Sequence, residues 1–409
     1  MIRRVVVTGI SGISPLGSDW STIRKQLGEY RNAVQFLDHW REYDGLNTAL
    51  GSPVTDFKVP EHYTRRQLRS MGRVSKMAVT ASERALQSAG LLDDPIIKSG
   101  RCGASYGSSA GSTDAVAEFG QMLLHKSLDG LNATSYVRMM SHTAVVNIGV
   151  FFGLTGRVIP TSTACVAGSQ GIGYAFETIR YGQQDIMLAG GGEELCPTQA
   201  AVFDTLYATS TMNDQPKKTP RPYDRDRDGL VLGEGACTFV LEEYEHAKAR
   251  GANIICELVG FASNSDGSHV TRPNRETMAR CIAGGLDDAG IDASQIGYIS
   301  THGTATDHGD IAESLATHEV VGSNTPVSSM KSYMGHTLGA CGALEAWLAI
   351  EMMHEGWFAP TINLDNVDPE CGELDYIVNE GRNISCEYVM SNNFAFGGIN
   401  TSLVFKRLD

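Results

Sequence analysis

Two sets of short apolar runs, each broken by small-residue turns and by stretches of helical spacing, follow one another in the same order along the chain. This repetition constrains the fold more than any single motif. The run Arg4–Gly9 has its counterpart at Glu257–Asp266, and Arg101–Ser109 at Ile296–Gly303. Thr161–Gln170, which leads into a helix, corresponds to Ser328–His336, which leads into the helical stretch Gly339–Glu351. Gly233–Leu241 corresponds to Phe394–Phe405, read as a strand. Strands that alternate with helices predict an α/β architecture in which strand-end loops from both halves reach one pocket. We divide the chain into residues 1–251 and 252–409. With 42% apolar residues in 409, it can bury a large core.

Local reading gives further expectations. Gly9–Gly17 is read as a turn after the first strand; it lacks both GxGxxG spacing and a GK[ST] terminus, so it is not a phosphate loop. Thr64 opens a helix toward Gly90 that carries Arg65, Arg66, Arg69, Arg73 and Lys76 largely on one face. Val145–Phe152 predicts a helix buried on most sides. Asp185–Ala189 predicts a central parallel strand that ends in Gly190-Gly-Gly-Glu193-Glu194, and Thr219–Gly229 a polar loop. A net charge of −14 argues against general binding of nucleic acid or anionic membrane. Nine cysteines without CxxC pairs argue against a disulfide framework and against structural zinc. No leader or membrane-spanning stretch is recognised, so a cytoplasmic location is expected.

Reactive residue types gather at the small-residue turns. Cys165, in Thr-Ala-Cys-Val-Ala-Gly168, falls at or beside a helix N-terminus, where free N–H groups and the helix dipole favour a thiolate. Ala164, Ala167 and Gly168 are small enough to let a substrate approach the sulfur. His302, Lys331 and His336 lie at Gly-rich strand ends of the second half, and Asn392-Asn-Phe394-Ala-Phe396-Gly397-Gly398 lies near the C-terminus. A cysteine with two histidines and a lysine points to a thiol-based site without a metal.

These stretches resemble the β-ketoacyl-acyl carrier protein synthases, condensing enzymes of the elongating FabB/FabF type. The likeness rests on Thr-Ala-Cys165, Gly190-Gly-Gly-Glu-Glu-Leu195, Arg221-Pro-Tyr-Asp with Arg227-Asp-Gly, His302-Gly-Thr-x-Thr with Gly309-Asp310, Lys331 through Gly339, and Asn393-Phe-x-Phe-Gly-Gly. The stretch from Gly190 to Cys196 looks most like synthase I. The resemblance implies the thiolase-like fold: duplicated βαβαβαββ halves in a five-layered α-β-α-β-α core, usually dimeric. It implies decarboxylative condensation of a malonyl carrier with an acyl chain held on Cys165, in fatty acid biosynthesis. His302 and His336 would hold the enolate oxygen, and Lys331 and Glu313 would organise them. The N–H groups of Cys165 and Phe396 would form a second oxyanion hole. Phe394, Phe396, Gly397 and Gly398 match the pocket entrance, and Thr304 and Thr306 the contacts to the phosphopantetheine arm. Arg65, Arg66 and Arg69, with Lys126 as a further candidate, would dock the acidic acyl carrier protein. No resident cofactor is implied; the arm belongs to the carrier.

Where the family usually has Cys-Ala-Thr-Ser, this chain has Cys165-Val-Ala-Gly, and Ala305, Tyr333, Met334 and Ala395 also depart from its pattern. These positions leave the acyl chain open: a specialised polyketide or aryl-polyene ketosynthase would carry the same catalytic set. A heterodimer with a related subunit stands beside the homodimer. A degradative thiolase would need a second cysteine in a Cys-Gly-Gly context, which neither Cys371 nor Cys386 has. A non-catalytic chain-length partner would typically lack the nucleophile.

Overall fold

The computed structural model describes residues 2–408. In the first half the principal elements are β1 (Val5–Ile13), α1 (Arg73–Ser88), β2 (Cys102–Gly107), α2 (Thr143–Phe152), β3 (Val158–Pro160), α3 (Ala167–Arg180), β4 (Ile186–Glu193) and β5 (Gly235–Glu243). In the second they are β6 (Cys256–Ser265), α4 (Arg275–Ala289), β7 (Ile296–Ser300), α5 (Asp307–Val321), β8 (Pro326–Ser328), α6 (Cys341–Glu355), β9 (Tyr388–Ala395) and β10 (Ile399–Arg407). Each half reads βαβαβαββ.

The strands pair in the order β8-β7-β9-β10-β6-β1-β5-β4-β2-β3, with Asp375–Tyr376 added beside β8. Outward from the centre, β1-β5-β4-β2-β3 on one side repeats as β6-β10-β9-β7-β8 on the other. Within each half the last strand is antiparallel to the one before it, β5 to β4 and β10 to β9, while β4-β2-β3 and β9-β7-β8 are parallel. The two halves join through antiparallel pairing of Val5–Val7 in β1 with Cys256–Leu258 in β6. α1 and α2 cover one outer face and α4 and α5 the other, while α3 and α6 pack against each other between the half-sheets. The result is the five-layered α-β-α-β-α arrangement of the thiolase-like fold.

The central layer explains several glycines. α3 approaches α6 and the turn before it so closely that a Cβ on Gly168 would lie 3.0 Å from both Ala343 N and Gly339 O, and β4 packs on the same turn, where one on Gly191 would lie 2.1 Å from Gly339 O. Gly168 therefore serves backbone packing rather than substrate access, contrary to the sequence reading. Gly9 and Gly12 lie within β1, which runs on to Ile13 instead of turning, and Gly12 is small because a Cβ there would strike the Trp347 ring at 2.3 Å. The strand expected at Phe394–Phe405 is a hairpin, β9 and β10 joined at Phe396–Gly398.

Other expectations are corrected in the same way. The basic helix is two helices: Arg65–Leu68, capped at both backbone and side chain by Thr64 and Gln67, and α1, which starts after Gly72. Gly72, the N-cap of α1, packs against Ser112, where a Cβ would meet Oγ at 2.2 Å. Arg73 turns inward to pair with buried Glu234 at 2.7 Å, leaving Arg65, Arg66 and Arg69 exposed. α2 exposes Val150. β4 runs through the glycines to Glu193 and is parallel to β2 only. The polar loop after Thr219 is tucked in at Tyr223 and Asp224, both fully buried. Among the described residues, no helix is long and apolar enough to cross a membrane.

Candidate active site

Equivalent turns of the two halves face each other at the centre. After β3 the chain enters a 3-10 turn, Ala164–Val166, and continues as α3; after β8 the turn Leu338–Ala340 leads into α6. Ala164 (φ 53°) and Leu338 (φ 45°) both take the left-handed conformation, uncommon for residues with a Cβ. Cys165 is thereby buried just before α3, where the backbone N–H groups of Phe396 and of Cys165 itself favour its ionised form. Burial outweighs these donors and the nearby Lys331 charge, and pushes the thiol up to about 11. The helix terminus does not make the resting residue a thiolate, as local sequence had suggested.

His302 follows β7, and His336 follows the short helix Lys331–Met334. Cys165 Sγ and one ring nitrogen of each histidine lie within 4.8 Å of one another, and the two rings meet edge to face at 5.1 Å. The opposite nitrogens are occupied. His302 Nδ1 has Lys331 Nζ at 3.1 Å and Asn393 Nδ2 at 3.3 Å, neither of which can accept a hydrogen bond. His336 Nδ1 accepts from the Leu338 N–H at 3.2 Å. In both rings Nδ1 is thus the acceptor and Nε2 carries the proton. Burial holds both histidines well below the ordinary range, aided by the Lys331 charge, so they are neutral. The site contains two neutral N–H donors beside a thiol.

Lys331 is fully buried and donates to Glu345, whose other oxygen accepts from Asn393 Nδ2 at 2.7 Å. Glu313 does not touch the imidazole. It holds the His302 backbone instead, accepting from the N–H groups of His302 (2.6 Å) and Gly303 (2.7 Å) and from the Tyr223 hydroxyl (3.1 Å). Burial raises the Glu313 carboxyl to about 7 against these donors. Asp310 accepts from the N–H groups of Tyr223, Thr304 and Ala305 and so shapes the following turn.

A cavity of about 520 Å³ opens onto this group. Its buried end holds Cys165, His302, His336 and Phe394, and its open end Tyr207, Val270 and Arg272. Thr304 and Thr306 line it with their hydroxyls 2.9 Å apart. Phe396 packs on Phe203 with ring centres at 5.0 Å. Gly397 and Gly398 turn the hairpin at φ 88° and 69°, and the Gly397 N–H donates to Val270 O at 2.7 Å. Arg69 borders a separate groove with Asn132, Thr134 and Arg138. Lys126 is exposed at the end of another helix, Thr113–His125, in a left-handed cap.

Sequence reading missed Glu345, whose signal was an acid within the apolar, buried run Cys341–Ile350, and gave no individual role to Asn393, Tyr223 and Asp310, although each lies in a motif that carries the resemblance. Two clusters have the composition of metal ligands: Cys165 with His302 and His336, and His302 with Cys341 and Glu345. Neither suits a cation. In the first, coordination through Nε2 would require each imidazole to move its proton to Nδ1, against the Lys331 ammonium or the Leu338 N–H; in the second, His302 Nδ1 and Glu345 are already engaged by Lys331 and Asn393, and the Lys331 ammonium repels a cation.

Residues 2–247 match the family described as Beta-ketoacyl synthase, N-terminal domain, and residues 255–365 match Beta-ketoacyl synthase, C-terminal domain. The chain is 37% identical to 3-oxoacyl-acyl carrier protein synthase 2 of Vibrio harveyi, over 99% of each sequence. It is 34% identical to synthase 1 of Escherichia coli strain K12 over 100% of each, so whole-chain identity does not single out the synthase I branch. A β-ketoacyl synthase from Burkholderia phymatum superposes with a TM-score of 0.98 at 56% identity, covering 100% of both chains.

Proposed function

Because the chain belongs to the β-ketoacyl synthase family of condensing acyltransferases, we propose that its reaction runs through Cys165 as acyl holder and through His302 and His336 as paired donors. The enzyme is a 3-oxoacyl-acyl carrier protein synthase, and its chemistry divides into two half-reactions. In the first, Cys165 sulfur attacks the acyl thioester of the carrier, the carrier's C–S bond breaks, and the thiol proton ends on the departing carrier sulfur. The N–H groups of Cys165 and Phe396 hold the oxyanion of the tetrahedral intermediate.

In the second, the C–C bond to the malonyl carboxylate breaks and carbon dioxide leaves. The electron pair passes to the thioester oxygen as an enolate, held by the two Nε2–H groups. The enolate carbon then attacks the acyl carbon on Cys165, and the released sulfur takes up a proton. The observation that carries this reading is the locked tautomer of both histidines: neutral imidazoles with Nδ1 occupied offer N–H groups where negative charge develops.

Thr304 and Thr306 contact the phosphopantetheine arm, while Phe396 gates the acyl end on the Gly397-Gly398 turn, with Phe394 beside His302. Exposed Arg65, Arg66 and Arg69 dock an acidic carrier, with Lys126 adding a weaker contact. A second copy of the chain covers exposed Leu123, Leu124, Leu128, Tyr136 and Val150 and the free edge of β3. The setting is cytoplasmic fatty acid synthesis, with no resident cofactor and no nucleic-acid or membrane partner.

Intact-protein mass spectrometry after incubation with acyl carriers tests the assignment. Wild type gains the acyl mass and releases the 3-oxoacyl carrier when malonyl carrier is added; Cys165→Ala does neither. Acylation of the Cys165→Ala protein would overturn the assignment. Labelling by conjugated or aryl chains alone would move the enzyme to a specialised pathway.

A further inference from the structure

Lys331 and Asn393 form a closed circuit with Glu345 and His302. One carboxylate oxygen of Glu345 accepts from Lys331 Nζ and the other from Asn393 Nδ2 at 2.7 Å. Both nitrogens then reach the same atom, His302 Nδ1, at 3.1 and 3.3 Å. All four side chains are buried. Neither nitrogen has an acceptor lone pair to offer, so each can only donate, and Nδ1 can only accept.

We infer that Asn393 is a positioning residue for decarboxylation, a second donor that holds His302 in its Nε2–H tautomer alongside Lys331. This rests on the assignment of His302 to the enolate oxygen. The amide has a single acceptable orientation. Its Oδ1 has no hydrogen-bond partner, and a flip would set that oxygen against Glu345 and withdraw the donor from His302. An unpaired buried carbonyl is unfavourable, and the site keeps it so in order to direct the NH2 group at both Glu345 and Nδ1. Asn393 sits in β9 of the second half, next to Phe394 of the cavity, so the strand that ends at the gate also carries the clamp on the imidazole. With two donors on one nitrogen, loss of either leaves the tautomer biased, and loss of both frees Nδ1 to take the proton.

The test is a double-mutant cycle with Lys331→Met, Asn393→Ala and the combined variant in the full chain. Two rates are followed separately: Cys165 acylation by mass, and carbon dioxide release from malonyl carrier. Each single variant should lower carbon dioxide release by about tenfold, and the double variant by well over the product of the two, since only there is the tautomer free. Acylation should fall far less in all three. Asn393→Ser, together with thermal unfolding of every variant, separates misfolding from loss of the donor: a folded Asn393→Ser protein should show the same preferential loss of carbon dioxide release. Single effects that simply multiply, or equal loss of both rates in folded protein, would overturn the role of Asn393. Absence of acylation or carbon dioxide release in wild type would instead refute the functional assignment beneath it.

Discussion

Replacing Glu313 by glutamine should flatten the pH dependence of stability. The carboxyl has an ordinary value of 4.5 and is raised to about 7 in the fold by burial, with Asp310 adding to the rise and the His302 and Gly303 N–H groups opposing it. Below pH 4.5 both states hold the proton. Between 4.5 and 7 the folded state keeps a proton that the unfolded chain has lost, so stability falls as pH rises and the effect is complete above 7. A gap of roughly 2.5 units corresponds to about 3 kcal/mol. The amide of the Glu313→Gln variant cannot titrate, so its contribution is constant. That contribution is unfavourable, because the amide NH2 opposes one of three donors, His302 N–H, Gly303 N–H or the Tyr223 hydroxyl, at about 1–3 kcal/mol. Urea unfolding of both proteins at pH 5, 6, 7 and 8, at one protein concentration, reads the difference. The variant should gain about 2–3 kcal/mol on wild type across that range, from a lower starting point at pH 5. Parallel pH curves, or a variant that loses ground as pH rises, would refute the buried-carboxyl reasoning.

Three further outcomes are expected. Gly12→Ala places a methyl 2.3 Å from the Trp347 ring in the central layer and should lower stability by about 1–3 kcal/mol, read as a reduced melting temperature; an unchanged melt would show that Trp347 moves freely. Iodoacetamide should label Cys165 about tenfold faster per pH unit from 7 to 10, because the thiol ionises near 11, and a plateau already reached at pH 8 would contradict the protonated resting state. Charge reversal of Arg65, Arg66 and Arg69 together should raise KM for the acyl carrier while kcat changes little, with the difference shrinking in high salt; equal effects on free acyl-pantetheine substrates would exclude a docking role.

The chain by itself determined the order of its elements and the places where chemistry could occur. Repeated apolar runs with small-residue breaks specify two successive α/β halves, because strand and helix spacing are local properties, while the βαβαβαββ order was what the family resemblance implied. Cys165, His302, Lys331 and His336 stood out for the same reason: each lies in a small-residue turn segment, where a side chain can face a pocket. Tertiary structure decided what those residues are. The thiol of Cys165 is protonated because burial exceeds the pull of the nearby donors, a balance that local spacing does not express. Arg73 leaves its basic neighbours for Glu234, which lies far away in sequence. Gly12 and Gly168 are small because α6 crosses above them, not because the chain turns or a substrate approaches. The histidine tautomers depend on Lys331, Asn393 and Glu345, which lie on separate elements of the second half and come within hydrogen-bond distance only through its tertiary packing, and on the local Leu338 N–H.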